Sequence, residues 1–356
     1  AGPTGLATAL MLARQGWRTT VFERFEAAQP VGAGFMLQPT GLGVLDRLGL
    51  TEKIEALGQT IDHIFGQAAP TGRIVLDVRY SDLKRPRRAI GVHRAAIFHV
   101  LREACLEAGV AFEFGKDVVG ASSGRLTFVS GQSSSAFDLV VDASGARSNI
   151  ARAHGAAPRA LSFGALWTTT PWPSDPRFDR NALQQVYKGA AKMIGVLPVG
   201  VRPGSRAPLA TFFWSLKTRD YPAIDHPDAL SLARYGHHTL ARPYGDRLAV
   251  VGDAAHSTSP QLGQGVNMGL LDADALARAL EGASDLNEAL AAYAKERRWH
   301  LRLYQALSLG FTPFYQSDGG ALPWIRDHVL GRLARLPTAP HLLACTVSGF
   351  LLDPRR

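Results

Sequence analysis

The segment AGPTGLATALMLARQGWRTTVFERF, residues 1–25, reads as a glycine turn followed by a helix and a short strand. Gly2 and Gly5 match the second and third glycines of the pattern G-x-G-x-x-G. Gly2 lets the backbone approach a pyrophosphate, and Gly5 lets the helix pack close to a sheet. Pro3 and Thr4 begin the helix, where the missing N–H of proline costs nothing. The helix N-terminus is therefore predicted to bind phosphate through backbone N–H groups.

An acidic residue follows the strand predicted at residues 19–22. Glu23 lies eighteen positions after Gly5, close to the spacing of a carboxylate that binds ribose hydroxyls. Because a carboxylate repels a 2′-phosphate, Glu23 and its neighbour Arg24 are predicted to contact the adenosine of FAD or NAD rather than NADP. A doubly wound sheet places its first strand before such a turn, so we expect residues before Ala1, or within the chain, to be missing from this sequence.

A second strand–loop–helix unit lies in DRLAVVGDAAHSTSPQLGQGVNMGLLDADALARAL, residues 246–280. The apolar residues 248–251 predict a strand, and Asp253 directly after it is placed to accept hydrogen bonds from ribityl hydroxyls. NAD does not need a second helix N-terminus, whereas the longer FAD has a flavin ring for it to contact. The residues predicted to contact this ring are Pro260, which presents no N–H, and the loop and helix residues Gly263, Gly265, Val266 and Asn267.

Residues 252–267 match the motif G-D-A-A-H-x-x-x-P-x-x-G-x-G-x-N position by position, and the chain resembles the single-component flavoprotein aromatic hydroxylases of the p-hydroxybenzoate hydroxylase family. Residues 32–50 and 91–101 resemble further segments of that family. The resemblance implies that Arg94 contacts FAD and that Val118 provides a backbone contact to adenine. It also implies FAD as the cofactor and NADH or NADPH as the co-substrate.

The resemblance implies an α/β fold with a Rossmann-like FAD-binding domain, whose parallel sheet is discontinuous in the sequence. A β-sheet substrate domain and C-terminal helices complete the expected architecture. The predicted boundaries are 1–60, 85–160 and 241–290 for the FAD-binding domain, 61–84 and 161–240 for the substrate-binding sheet, and 291–356 for the C-terminal helical region.

The central part of the chain departs from the family pattern at one position. The family has an aspartate before a glycine in a motif that handles FAD and the nicotinamide coenzyme, whereas this chain has Ser144 before Gly145. Asp142 is the nearest acid in the sequence. Since serine lacks the charge, the departure leaves the choice between NADH and NADPH open, but it does not alter the FAD assignment.

Residues from about 162 to 240 predict antiparallel strands with Pro/Gly turns between them. The resemblance implies that this sheet lies over the flavin and forms the substrate pocket. Ordinary sheet packing would also explain each apolar side chain in the region. The candidate pocket residues are Tyr187, Met193, Phe213 and Trp214.

The function implied by the resemblance is an FAD-dependent monooxygenase. It would hydroxylate a phenolic or heteroaromatic small molecule with NAD(P)H and O₂ through a flavin C4a-hydroperoxide, and no side chain is predicted to act as a catalytic base. One alternative is a flavin-dependent halogenase, which would carry W-x-W-x-I-P, whereas Trp214 stands alone in FFWSLK. A flavin-dependent reductase of isoprenoid double bonds and a non-catalytic flavin-binding redox sensor are the others.

Composition limits the remaining classes of function. The chain has 356 residues, 46% of them hydrophobic, and a formal net charge of +9. Its arginines are scattered rather than clustered with aromatic residues, so nucleic-acid binding is not expected. No apolar stretch reaches the ~20 residues of a membrane-spanning helix. Two cysteines form no disulfide framework, which favours the cytoplasm. No metal site is predicted, and a monomer or homodimer is expected.

Overall fold

The computed structural model describes residues 1–27, 33–85, 87–223, 230–334 and 336–353. The helices in these ranges are α1 (Pro3–Arg14), α2 (Pro39–Arg47), α3 (Thr51–Glu55), α4 (Arg94–Glu107), α5 (Asn149–Ala153), α6 (Gly265–Leu280), α7 (Leu286–Tyr315), α8 (Ala321–Ile325), α9 (Gly331–Leu333) and α10 (Ala339–Ser348). The strands are β1 (Thr20–Phe22), β2 (Phe35–Leu37), β3 (Gln59–Ile61), β4 (His63–Ala68), β5 (Arg73–Arg79), β6 (Ala89–Val92), β7 (Ala111–Glu113), β8 (Val118–Ser122), β9 (Arg125–Phe128), β10 (Val140–Asp142), β11 (Arg159–Pro171), β12 (Ala182–Lys188), β13 (Lys192–Pro198), β14 (Leu209–Lys217), β15 (Ser231–Thr239), β16 (Tyr244–Gly245), β17 (Leu248–Val250) and β18 (His256–Ser257).

Parallel strand pairs lie beside both glycine motifs. β1 pairs with β7, and β10 pairs with β17. The first pair delivers Glu23 and the second delivers Gly252, each at the carboxyl end of its strand. Ligands bind at such ends in α/β sheets. The mixed α/β fold with parallel strands and C-terminal helices that the sequence predicted is thereby confirmed.

An eight-stranded mixed sheet forms the other large part of the molecule. Its strand order is β18-β15-β11-β14-β13-β12-β4-β5, and β12 and β4 are its one parallel pair. The long strands come from residues 63–79 and 159–239, and the short edge strand β18 comes from the second glycine motif. This edge strand joins the sheet directly to the segment that carries Asp253.

The largest apolar core lies between helices α1, α4, α6 and α7. Leu6 and Leu10 of α1, Leu270 of α6 and Tyr293 of α7 are all fully buried in it. Apolar residues at helical spacing explain why these helices pack here. Pro313 lies inside the last turn of α7, which ends two residues later at Tyr315. Within the described ranges, no helix combines the length and apolar character needed to cross a bilayer.

Candidate active site

The N-terminal regions of α1 and α6 meet at Thr4. A Cβ added to Gly269 of α6 would lie only 2.1 Å from Thr4 Oγ1, and one added to Gly252 would lie 3.0 Å from the same atom. Gly252 also has φ +61°, a left-handed conformation that favours glycine. The two glycine motifs, far apart in the sequence, therefore form one continuous site.

Neither of these helices is capped by a side chain. Gly2 precedes α1 and Gln264 precedes α6, and neither provides a side-chain acceptor to the first turn. The N-termini of α4, α5 and α7 are capped by side chains of His93, Ser148 and Asp285. The first-turn N–H groups of α1 and α6 thus remain available, together with the positive end of each helix dipole, for a negatively charged ligand.

Glu23 lies directly beside the first glycine turn. Its Oε2 is 2.5 Å from the backbone nitrogen of Ala1, and its Oε1 accepts a hydrogen bond from the Phe25 N–H. A Cβ on Gly5 would lie 3.2 Å from the Cβ of Ala143, just after β10, so glycine is what permits this close approach. Arg24 is exposed, with its guanidinium over the Phe25 ring.

Val118 lies close to this end of the site. It packs in the same apolar cluster as Phe22, the last residue of the strand that delivers Glu23. The backbone N–H of Lys116 donates to the Glu23 carbonyl at 2.9 Å. The segment predicted to contact adenine and the acid predicted to contact ribose are therefore neighbours.

Asp253 and Arg94 are both solvent-exposed and lie near enough to attract each other. Asp253 Oδ1 lies 3.6 Å from the Cβ position of Gly265, the first residue of α6. Protein atoms nevertheless surround both side chains closely enough that desolvation dominates: it raises the pKa of Asp253 and lowers the pKa of Arg94. Their mutual attraction opposes both shifts, and the Tyr235 phenol acts on Arg94 in the same way. Arg94 also lies over the Phe35 ring, 5.5 Å from its centroid.

The loop before α6 has the shape that a close ligand contact needs. Pro260 begins a single tight turn that ends at Gly263, which has φ +60°. Val266 is half-buried in the first turn of α6. Asn267 is fully buried, and its side chain accepts a hydrogen bond from the Gln38 N–H and donates to the carbonyl of Gly263. The Asn267 amide thus holds the loop in place.

Asp272, a residue that the sequence analysis did not single out, supports the second motif from within α6. It is fully buried, and one oxygen accepts hydrogen bonds from the Gly252 N–H at 2.9 Å and from His256 Nε2 at 2.5 Å. The other oxygen accepts from Arg297 Nε at 2.7 Å. Coulombic attraction to His256 and Arg297 outweighs the opposing effect of burial and holds the pKa of Asp272 at about 2.

Ser144 occupies the position of the family aspartate, and the acid two residues earlier does not substitute for it. Asp142 is buried and accepts hydrogen bonds from the Ser144 hydroxyl at 2.6 Å and from the Ser148 hydroxyl at 2.5 Å. Asp142 therefore orders the turn after β10 from inside. Ser144 itself is exposed and uncharged, and it follows Ala143, which lies against Gly5.

One face of the large sheet is turned toward the cofactor segments. The buried N–H of Gly34 donates to Thr211 Oγ1 of β14 at 2.9 Å. On the same face, the Trp167 ring stacks on Phe213 with centroids 4.8 Å apart, and its Nε1 donates to the Tyr235 hydroxyl at 3.1 Å. Trp167 and Tyr235 were not anticipated from the sequence, because alternation shows which side chains of one strand share a face but not which face lies toward the cofactor segments.

Three of the four predicted pocket residues share this face. Tyr187, Met193 and Phe213 form one buried cluster with Trp167 beside it. Trp214 follows Phe213 directly in β14, so its side chain points to the opposite face of the sheet. Tyr187 is also only 1% exposed and packs against Tyr315.

The donor and acceptor groups of the two glycine motifs fit FAD. Free N–H groups at α1 suit a diphosphate, the carboxylates of Glu23 and Asp253 suit ribose and ribityl hydroxyls, and the N-terminus of α6 suits the electron-rich edge of a flavin. The described residues contain no group of three His, Cys, Asp or Glu side chains arranged to hold a metal ion.

Comparison with known proteins agrees with this geometry. A family model described as FAD binding domain matches residues 1–305. A probable 2-heptyl-3-hydroxy-4(1H)-quinolone synthase of Rhodococcus erythropolis is 28% identical, covering 94% of this chain and 90% of its own. A 3-hydroxybenzoate 6-hydroxylase of Klebsiella oxytoca is 26% identical over 83% and 82%. The structure of Klebsiella pneumoniae HpxO, complexed with FAD and uric acid, has a TM-score of 0.80 at 19% identity and covers 98% of this chain and 95% of that one.

Proposed function

This chain belongs to the FAD binding domain family, and we propose that it hydroxylates a small phenolic or heteroaromatic molecule with NAD(P)H and O₂. The resemblance to single-component FAD-dependent aromatic hydroxylases is confirmed, because proteins of that kind are among its relatives. The chain is accordingly an FAD-dependent oxidoreductase of the monooxygenase class.

The main support for the proposal is the contact region around Thr4. Thr4 touches the positions where Gly252 and Gly269 would carry a Cβ, so the two glycine motifs form one site. A ligand that needs both helix N-termini must carry an anionic diphosphate at one end and an electron-rich ring at the other. FAD meets this requirement, whereas NAD does not need the second terminus.

Each predicted contact residue has a chemical task toward FAD. The backbone around Gly2, Pro3, Thr4 and Gly5 binds the diphosphate, and Glu23 accepts hydrogen bonds from the ribose. FAD held by these residues would supply hydride acceptance from NAD(P)H and activation of O₂, chemistry that amino-acid side chains do not provide. The protein provides the placement of the ring and the exclusion of water. The remaining contacts proposed are Arg24, Arg94, Val118, Asp253, Pro260, Gly263, Gly265, Val266 and Asn267.

The substrate is proposed to bind between the ring and the sheet face that carries Trp167, Phe213 and Tyr235. Burial raises the pKa of Tyr235 to about 12, so its phenol stays protonated at neutral pH. Because Trp167 already donates to the Tyr235 oxygen, the Tyr235 O–H can be directed at a substrate oxygen. An aromatic substrate would gain stacking area against Trp167.

The co-substrate, the compartment and the oligomeric state are also part of the proposal. Ser144 leaves the lip of the site without the family carboxylate, so NADH and NADPH both remain as candidates for the co-substrate. Cys105 and Cys345 are free and buried, which supports a reducing compartment such as the cytoplasm. A monomer or a homodimer is proposed.

A substrate panel tests this function. Purified protein is expected to be yellow, and a set of phenols and heteroaromatic acids is assayed for NADH and NADPH consumption under ¹⁸O₂. The proposal predicts that at least one compound accelerates coenzyme oxidation and gains one ¹⁸O atom by mass spectrometry. In Tyr235→Phe, KM for that compound should rise about tenfold while FAD stays bound, because one hydrogen bond in a closed site is lost.

Other outcomes would identify the alternatives. Reduction of an isoprenoid double bond without oxygen incorporation would show a reductase, and halogenation in the presence of chloride would show a halogenase. FAD binding with no turnover on any compound would support a redox sensor. Each of these outcomes overturns the hydroxylase proposal.

A further inference from the structure

The C-terminal end of α10 is held by side chains from three different parts of the chain. The carbonyl oxygens of residues 347–349 accept hydrogen bonds, in order, from Gln264, Thr40 and His300. The last carbonyls of a helix are normally left to water or to a glycine cap. Gly349 has φ +85°, and a Cβ there would lie 2.4 Å from Thr40 Oγ1, so the end of this helix fits closely against its surroundings.

Gln264 connects α10 directly to the loop predicted to contact the flavin. It precedes Gly265, the first residue of α6, but its side chain does not cap that helix. The Gln264 amide instead donates to the Val347 carbonyl, and the residue is only 4% exposed. The first-turn N–H groups of α6 are thereby left for a ligand, while the residue before them is fixed to α10.

A second path leads from α10 to the other cofactor segment. His300 Nε2 donates to the Gly349 carbonyl at 2.9 Å, and His300 Nδ1 accepts from Arg297 at 2.8 Å. Arg297 donates to Asp272, and Asp272 binds the Gly252 N–H immediately before Asp253. The side chains of His300, Arg297 and Asp272 are all buried. The end of α10 is therefore connected by hydrogen bonds to both segments of the second glycine motif.

We propose that α10 is a structural part of the FAD site, and that Gln264 is the positioning residue that couples the two. Docking of α10 holds the loop at residues 263–265 in the shape that accepts the flavin, and bound flavin in turn holds the loop against α10. This inference rests on the proposed binding of FAD at the N-terminus of α6. Because coupling between two binding events is reciprocal, each should stabilise the other by the same factor.

Two matched variants test the role of Gln264. Gln264→Leu removes the bond from the flavin loop to α10, whereas Thr40→Val removes the bond from α2 to the next carbonyl. Titration of FAD-free protein with FAD, followed by flavin fluorescence, gives the Kd. Gln264→Leu is expected to raise the Kd about tenfold, because one buried hydrogen bond is lost. Thr40→Val is expected to raise the Kd less than about twofold. Equal Kd values for Gln264→Leu and the wild type would overturn the proposal.

Hydrogen exchange provides a second readout that does not depend on how well Gln264→Leu folds. In the wild-type protein, FAD is expected to slow exchange of the amides at residues 342–349, and in Thr40→Val this slowing should persist. Identical exchange with and without FAD would overturn the coupling even if the wild type binds FAD tightly. A wild-type protein that binds no FAD would instead refute the proposed function.

Discussion

At the scale of single residues, Asp253 is proposed to bind a ligand at the expense of the stability of the free protein. Its carboxyl is desolvated by the surrounding protein atoms, which raises its pKa, and Arg94 and His256 only partly compensate. Its Oδ1 lies 3.6 Å from the Cβ position of Gly265 at the start of α6, where the ribityl hydroxyls of FAD are proposed to bind. Desolvated charges of this kind concentrate at functional sites.

Replacing Asp253 should therefore separate binding from stability. Asp253→Ala is expected to raise the Kd for FAD by a factor of roughly ten to one hundred, because hydrogen bonds to a charged acceptor are lost. The Tm of the FAD-free protein should stay the same or rise, because a desolvated carboxyl is removed. Asp246→Ala, at an exposed acid that bonds Ser123, is the surface control and should change neither quantity. A yellow, tightly bound Asp253→Ala protein would refute the role of this residue.

At the scale of elements, the close crossing of α1 and α6 determines the shape of the site. Gly269 allows α6 to lie against Thr4, and Gly5 allows α1 to lie against Ala143. A side chain at Gly269 would push α6 away from α1, whereas one at Gly5 would push α1 away from the end of β10. The distance between those termini must match a single ligand, so a displacement of one helix weakens contacts at both ends.

Adding one methyl group at two helical glycines tests this crossing. Gly269→Ala should destabilise the protein by about 1–3 kcal/mol, because the new Cβ would meet Thr4 Oγ1 at 2.1 Å, and it should also weaken FAD binding. Gly310→Ala in α7, where nothing lies within 4 Å, should stabilise by up to about 1 kcal/mol through helix propensity. Thermal unfolding and FAD titration measure both. Rescue of Gly269→Ala by adding Thr4→Ala would confirm the contact, and additive losses would argue against it.

At the scale of the whole molecule, buried charges connect the cofactor segments to the C-terminal helices. Asp272 lies at the centre of this network, paired with Arg297 and His256. Its folded-state pKa of about 2 lies below the ordinary value of 3.8. The stabilisation from its ionised form is therefore complete above about pH 4 and is lost as the pH falls toward 2.

The pH dependence of unfolding should reveal this contribution. Asp272→Asn is expected to lose about 3–5 kcal/mol at pH 7, because Arg297 is left buried without its counter-charge. The difference in unfolding free energy between wild type and variant should begin to shrink as the pH falls below about 4, because the carboxyl becomes protonated in the unfolded chain. The shrinkage should continue toward pH 2, where Asp272 is protonated in the folded wild type as well. Urea titrations across this range measure the difference, and a constant difference from pH 7 to pH 3 would contradict the assignment. Asp285→Asn, at an exposed helix cap, serves as the control and should show a much smaller loss at pH 7.

The cofactor motifs could be recognised in the sequence because each is formed by residues that are close together in the chain. A glycine turn, a helix start and the acid after a strand occupy adjacent positions, and their chemistry follows from backbone freedom and helix dipoles. The strand predicted at residues 19–22 is observed at Thr20–Phe22. The family was readable from residues 252–267 alone, and the match to residues 1–305 agrees with it.

Tertiary structure alone decided which distant side chains meet. Strand pairing placed Trp167 and Tyr235 on the face toward the cofactor segments and turned Trp214 away, since neighbouring residues in a strand alternate. Helix packing brought Asp272 to the Gly252 N–H and Gln264 to the end of α10. These contacts join residues separated by up to hundreds of positions, and their geometry depends on how whole elements pack. The spacing of residues in a motif contains no information about how whole elements pack. It is sufficient only to predict the positions of groups that are held within one turn of backbone.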